Sequence, residues 1–183
     1  MSVSLDGFIE AADGDLSWSF PDDELHEYFN DRETMIDVHF YGRRLYENMA
    51  AYWPTADENP SAPKVEVEYA RIWKTMEKIV FSKTLKTVGW NSQLISGNIA
   101  EVVNRLKAQP GRDMSVGGAE LASAFMQLSL IDEYWLYVYP VILGGGKPMF
   151  RPSQGKISLQ LAETRPFGSG VVLLRYRHAD EHP

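Results

Sequence analysis

Several short groups of residues in this chain could do chemistry. Gly42-Arg43-Arg44 sets two guanidiniums where a strand gives way to a helix. Basic side chains beside a helix N-terminus make an anion site, because forked N–H donors and the helix dipole both favour negative charge. The plainer reading is two solvated arginines. Ser82 and Lys83 follow a strand end, where a hydroxyl and an ammonium can hold a phosphate or simply line a loop. Gly117-Gly118 and Gly144-Gly145-Gly146 each follow a strand, and glycine there lets backbone approach a ligand closely. Asp6-Gly7 interrupts an apolar start and reads locally as a turn. Asp22, Asp23 and Glu24 follow Pro21, where acidic residues complement the dipole of an opening helix.

The elements that must position these groups can be read from hydrophobic spacing. Residues 1–9 form a strand that runs into a loop, and Pro21 opens a helix with Leu25, Tyr28 and Phe29 inward. Val38–Tyr41 is a short strand, and Leu45–Met49 begins a helix from the glycine. Pro54, Pro60 and Pro63 make 50–64 a connecting loop. Glu66–Lys78 is an amphipathic helix with Tyr69, Ile72, Trp73 and Met76 on one face, followed by a strand at Lys78–Ser82. Another strand spans Gln93–Ser96. Asn98 then caps a helix, with Glu101 completing a variant capping box. A strand at Met114–Val116 precedes a helix bearing Leu121, Ala122, Phe125, Met126 and Leu128. Tyr134–Leu143 is apolar on both faces, so it is expected to be central. Alternation around Leu159 and Leu173, with the turn-rich RPFGSG between, makes a terminal antiparallel hairpin. Strands alternating with helices imply a mainly parallel sheet, and ligands of such sheets lie outside the carboxyl ends of the strands. Asp6, Arg43, Arg44, Ser82, Lys83 and the glycine groups all fall at such ends.

Composition narrows the function classes. The chain has 183 residues, 44% hydrophobic and 23% charged, which suits one globular domain with a sizeable core. A net charge of −7 argues against a nucleic-acid partner, which needs a basic face. No apolar run is long enough to span a membrane. With no cysteine, disulfides and thiolate zinc sites are excluded, and a cytoplasmic location is expected. The four histidines, His26, His39, His178 and His182, lack ligand spacing, so no metal site is expected.

The segments SLDGFI, YGRRLYE, VFSKTL, SVGGAEL and YPVILGGGKPMF occur in that order. Together they resemble the dihydrofolate reductase-like superfamily. The resemblance is closest to stand-alone relatives of the reductase domain of riboflavin biosynthesis, the C-terminal part of a bifunctional deaminase/reductase. It covers nearly the whole chain. It implies an α/β, three-layer fold with a mostly parallel central sheet, helices on both faces and an antiparallel C-terminal hairpin. Residues 1–178 would form the single domain, and 179–183 a frayed tail. The fingerprint G-x-G-x-x-G is absent, and the family does not use it.

The resemblance also implies NADPH as cofactor. Gly42, Arg43 and Arg44 match the segment that grips the cofactor phosphates. Ser82 and Lys83 match the loop at the adenosine ribose and its 2′-phosphate. Gly117 and Gly118 match the pair where backbone meets the pyrophosphate, and Gly144 and Gly145 match the glycine turn bordering the nicotinamide. Asp6 lies where the family's chain passes the nicotinamide. Trp18 to Asp23 echoes the W-x-L-P-x-D stretch of dihydrofolate reductases, which sets Asp23 at their pterin-binding acid. Asp6 and Asp23 are therefore the candidate catalytic proton donors or relays.

The expected activity is hydride transfer from NADPH to a C=N or C=O carbon of a small heterocyclic or sugar-derived substrate. The alternatives are a true dihydrofolate reductase and a non-catalytic NADP-binding protein. There are three departures from the pattern. The deaminase zinc motif is missing. ETMIDVHF lacks the arginine that the riboflavin enzyme uses near its sugar-phosphate substrate. Only Met1–Val3 precede SLDGF. The aromatic strand 134–139 and the terminal hairpin are the candidate surfaces for a homodimer.

Overall fold

The structure is a computed structural model that describes residues 1–151 and 155–179. Of the expected frayed tail, residues 180–183 lie outside the described residues. The backbone divides into two compact units. One comprises Met1–Asp22 and Ser123–Pro183, the other Asp23–Ala122.

The second unit is the βα part. Its strands are β3 (Ile36–Gly42), β4 (Glu77–Phe81), β5 (Ser92–Ile95) and β6 (Asp113–Gly117). They form an all-parallel sheet in the order β5-β4-β3-β6. Phe40 and Val80 are buried on its central strands, with Leu25, Trp73 and Val103 buried from the helices. The pairing of β3 with β6 sets His39 opposite Ser115, and the Ser115 hydroxyl lies 2.8 Å from Nδ1 of the buried imidazole. That side-chain bond fixes register on one face of the sheet, where a slip of one residue would reverse every side chain.

The helices of this unit are α1 (Asp23–Glu33), α2 (Arg43–Ala56), α3 (Lys64–Thr75) and α4 (Ile99–Lys107), with the start of α5 (Ala119–Gln127). Asn98 caps α4 as expected, its side chain accepting from the N–H groups of Ala100 and Glu101. Three boundaries differ from the sequence reading. First, α2 does not stop at Met49 but runs through Pro54 to Ala56. Pro54 lies in the last turn, where it removes only one helical hydrogen bond, and both Pro54 and Ala56 are buried. Second, α3 begins just after Pro63, whose fixed φ suits the start of a helix, and ends at Thr75. Met76 is extended, because the Lys78 ammonium takes the carbonyls of Trp73 and Met76 at 2.6 and 2.7 Å. Third, Leu128 falls beyond α5 and is 46% exposed rather than inward.

The first unit carries β1 (Ser2–Ser4), β7 (Glu133–Tyr139), β9 (Leu159–Pro166) and β10 (Val172–His178) in the order β1-β7-β10-β9. The β1–β7 pair is parallel, and β7, β10 and β9 are antiparallel. The aromatic strand is central, as expected, but it ends at Tyr139 because Pro140 follows. The terminal hairpin turns where Phe167 N–H donates to Val171 O and Gly170 N–H to Phe167 O. A two-stranded sheet of β2 (Phe8–Glu10) and β8 (Lys147–Pro148) completes this unit. Among the described residues, no helix is long and apolar enough to cross a membrane.

Candidate functional site

Parallel strands with helical connections deliver their loops to one end of a sheet, and the second unit collects most of the sequence-singled residues there. Gly42 is the last residue of β3, Gly117 the last of β6, and Ser82 and Lys83 directly follow β4. Gly42 is also the N-cap of α2 and supplies no side-chain cap. The first N–H groups of α2 therefore lack a side-chain cap and lie beside Arg43 and Arg44, both exposed. Uncapped helix N–H groups with adjacent guanidiniums favour a bound anion.

Two neighbours set the position of Arg43. Its Nη1 donates to Thr84 Oγ1 at 2.9 Å and its Nε to Glu47 Oε1 at 2.9 Å. The Ser82 hydroxyl accepts from the N–H groups of Thr84 and Leu85 and so fixes the loop that presents Thr84. The β3 and β4 ends are thus joined through side chains. Thr84 and Glu47 were not among the sequence candidates. Thr84 stands in the polar S-K-T run, and Glu47 lies one turn along α2 from Arg43, the spacing of a helical ion pair. Both Arg43 and Glu47 are about half exposed, so that pair steers the guanidinium more than it stabilises the fold.

Gly117 and Gly118 lead into α5. Gly118 has φ +87°, the left-handed region that favours glycine, and a Cβ on Gly117 would press on the Leu45 side chain. The first residues of α2 and α5 are packed together here, since a Cβ on Gly42 would lie 3.7 Å from the Leu121 Cβ. Asp23 is the first residue of α1 and is exposed.

The other candidates, Asp6, Gly144 and Gly145, are brought together in the first unit. The Asp6 carboxylate accepts from Leu143 N–H at 3.1 Å and Gly144 N–H at 2.8 Å. Ser4 Oγ donates to Asp6 Oδ1 at 2.7 Å and itself accepts from Phe8 N–H. The Ser4 hydrogen bond, with those from Leu143 and Gly144, holds the Asp6 carboxyl below the usual carboxylate range. An ionised acceptor with this geometry positions the glycine turn. Ser4, which sequence reasoning passed over, is two residues from Asp6 in SLDG and is the other half of the arrangement.

Replacing Asp6 by Asn leaves one carbonyl oxygen to serve two backbone donors. Asp6→Asn is therefore expected to speed amide hydrogen exchange at Leu143 and Gly144 while leaving exchange in the β7–β10 ladder unchanged. Unchanged protection at 143 and 144 would show that the carboxylate does not hold the turn.

The chain is similar to known proteins. Residues 1–173 match the family described as RibD C-terminal domain. The uncharacterized protein YyaP of Bacillus subtilis is 37% identical over 177 residues, which cover 96% of this chain and 91% of that protein. A second B. subtilis relative, the uncharacterized protein YwjB, is 28% identical over 178 residues, 94% of this chain and 92% of its own length. Among solved structures, a putative riboflavin biosynthesis protein from Shewanella superposes with a TM-score of 0.76 at 20% identity, covering 98% of this chain and 96% of its own. The deaminase/5-amino-6-(5-phosphoribosylamino)uracil reductase of Thermotoga maritima matches with a TM-score of 0.64 at 15% identity, and the match spans 97% of this chain but only 55% of that longer protein. These last two likenesses carry the fold. A family match from residue 1 to 173, with a relative sharing more than a third of its residues end to end, places this chain in the RibD C-terminal domain family.

Proposed function

We propose that the protein is an NADPH-dependent reductase that transfers a hydride to a C=N or C=O carbon of a small heterocyclic or sugar-derived substrate. One observation carries this reading. In a chain of net charge −7, Arg43, Arg44 and Lys83 gather with Ser82, Gly117 and Gly118 at the carboxyl ends of adjacent parallel strands. The residues suit a dinucleotide. Gly117 and Gly118 let the start of α5 pack closely on Leu45 in the first turn of α2, α2 has no side-chain cap, and the Arg43 fork is already oriented. Membership of a family named for a riboflavin-pathway protein, and a structural neighbour named as a reductase, support the reaction class.

NADPH supplies the hydride when bound. The chain's own part is binding and orientation. Arg43, Arg44 and Lys83 offer charge-assisted donors to phosphates, and cationic side chains distinguish a 2′-phosphate from a hydroxyl. Asp6 orders the turn at Gly144 and Gly145. Asp23 is the candidate relay for the proton that the product heteroatom takes from water.

Fluorescence titration tests the reading. Wild type binds NADPH more tightly than NADH, and Arg43→Ala and Arg44→Ala each weaken NADPH about tenfold or more, the worth of one charge-assisted hydrogen bond. Arg44→Ala is expected to cost NADPH more than NADH. If neither substitution weakens binding, the cofactor does not sit at this strand edge.

A further inference from the structure

A row of polar side chains crosses the parallel sheet at one level. Lys78 on β4, His39 on β3 and Ser115 on β6 are register partners, so they share a face. Lys78 and His39 are both buried. The Lys78 ammonium is committed to the carbonyls of Trp73 and Met76. Both ring nitrogens of His39 meet a polar group. Nδ1 lies 2.8 Å from the Ser115 hydroxyl, and Nε2 lies 3.0 Å from Oε2 of Glu33, the last residue of α1. The imidazole and carboxylate side chains are only 4% and 17% exposed, so water does little to screen the pair. Their approach lacks the alignment of a hydrogen bond, and the contact is mainly one of charge.

Two residues further along the same face, Tyr41 on β3 pairs with Gly117 on β6. The Tyr41 and His39 rings are in edge contact, with centroids 6.3 Å apart. A Cβ on Gly117 would lie 3.8 Å from the Tyr41 ring, so that ring rests against the glycine. The Tyr69 hydroxyl of α3 donates to that of Tyr41. Burial first, and the Glu33 charge after it, raise the Tyr41 hydroxyl above the ordinary tyrosine value. At the amino ends of the same two strands, Asp37 pairs with Arg112 and Asp113 with Arg32. His39, Tyr41 and Ser115 thus connect the end of α1 to the glycine pair that opens α5.

We propose that His39 is a proton-dependent relay that resets the turn at Gly117 and Gly118. A carboxylate oxygen and a bare ring nitrogen repel at 3.0 Å in a buried site, so Nε2 carries a proton in both ring states. In the neutral ring the Ser115 hydroxyl donates to Nδ1. When the ring takes a proton from solvent, Nδ1 becomes a donor and the Ser115 hydroxyl turns to accept. The new charge faces Glu33 on one side and the Tyr41 ring on the other. Both changes reach β6 within two residues of Gly117. The relay needs no cofactor, whereas its control of NADPH affinity rests on the cofactor reading above.

NMR of the full chain without cofactor, titrated between about pH 8 and pH 5, tests the relay. The ring nitrogen shifts are expected to show Nε2–H in the neutral state. The amide signals of Gly117 and Gly118 are expected to move with the same midpoint as the ring. Glu33→Gln lowers that shared midpoint by about one pH unit or more, because the charged ring loses its partner. Ser115→Ala leaves the ring titrating but removes half or more of the glycine response, and Ser115→Thr restores it. A neutral ring protonated on Nδ1, a ring that holds one state throughout, separate midpoints, or a full glycine response in Ser115→Ala would overturn the proposal. NADPH affinity, measured at both pH limits, is expected to change more in wild type than in Ser115→Ala. Equal changes in the two proteins would overturn the control of the cofactor, whereas no binding at either pH would overturn the cofactor reading and leave the ring and glycine signals to decide the relay.

Discussion

Gly146→Ala is expected to unfold at a temperature lower by about 6–12 °C, a loss of about 3 kcal/mol for a chain of this size. Gly146 has φ +134°, a conformation essentially closed to other residues, and a Cβ on it would overlap the carbonyl oxygen of Glu10 and reach the backbone of Ala11. Both neighbours are main chain, so no side-chain rotation relieves the clash. Relief would require β2 and β8 to separate, with loss of their pairing at Phe8–Pro148 and Glu10–Lys147. The neighbouring glycines provide the internal control. A Cβ on Gly144 meets nothing within 4 Å, but φ is +71°, so Gly144→Ala carries only the conformational cost of about 1–2 kcal/mol. Gly145 has open space and ordinary backbone, so Gly145→Ala is expected to leave stability unchanged. Any change that Gly145→Ala makes to NADPH affinity or turnover then reports on the ligand and not on the fold. Thermal unfolding of the three variants settles the order. A Gly146→Ala protein within about 1 kcal/mol of wild type would show that the approach of the β2 backbone is not required.

These three adjacent glycines mark what can and cannot be read from a sequence. Strand ends and glycine pairs announce themselves locally, which is why Gly42, Arg43, Ser82, Gly117 and Gly118 could be named and do fall at one edge of the parallel sheet. The hairpin and the central placing of β7 follow from alternation and from apolarity on both faces, also local signals. Asp6 was legible as a candidate but not in its contacts, because its partners are 137 and 138 residues away in the chain. Pro54 misled for the opposite reason. Its local signal is strong, and burial at the end of α2 overrides it. Gly146 could not be separated from Gly144 and Gly145, since the difference lies wholly in the main chain of Glu10 and Ala11 on the other side of the turn. The left-handed Trp90 is equally invisible, because the sequence offers a glycine next to it.

Lys78 is a second residue whose sequence appearance conceals its energetics, and its substitution is expected to have the other large effect on stability. At the head of KIVF the sequence marks it only as the junction of a helix and a strand, yet it is fully buried. Its Nζ lies 4.5 Å from the centroid of the Trp73 ring and donates to the carbonyls of Trp73 and Met76. It thereby closes the C-terminus of α3 from within. Lys78→Met keeps the hydrophobic stem but removes the donor from both carbonyls, the Trp73 one buried and the Met76 one half-buried, so a loss of about 2–4 kcal/mol at pH 7 is expected. The same burial makes the wild-type stability depend on pH. Desolvation lowers the Lys78 pKa from 10.5 to about 8. Between these values the unfolded chain binds more protons than the folded one, so stability rises with pH, by up to about 3 kcal/mol over the whole interval. Above pH 10 the trend reverses. Burial raises the hydroxyl of Tyr41 and that of Tyr69 above the ordinary tyrosine value, and the folded state then holds protons that the unfolded state has released. Denaturant unfolding of wild type is therefore expected to show stability rising between about pH 8 and 10 and falling above that interval. In Lys78→Met the rise disappears and the fall remains. A variant that retains the rise would assign it to another group, and a variant as stable as wild type at pH 7 would show that the two carbonyls find other donors.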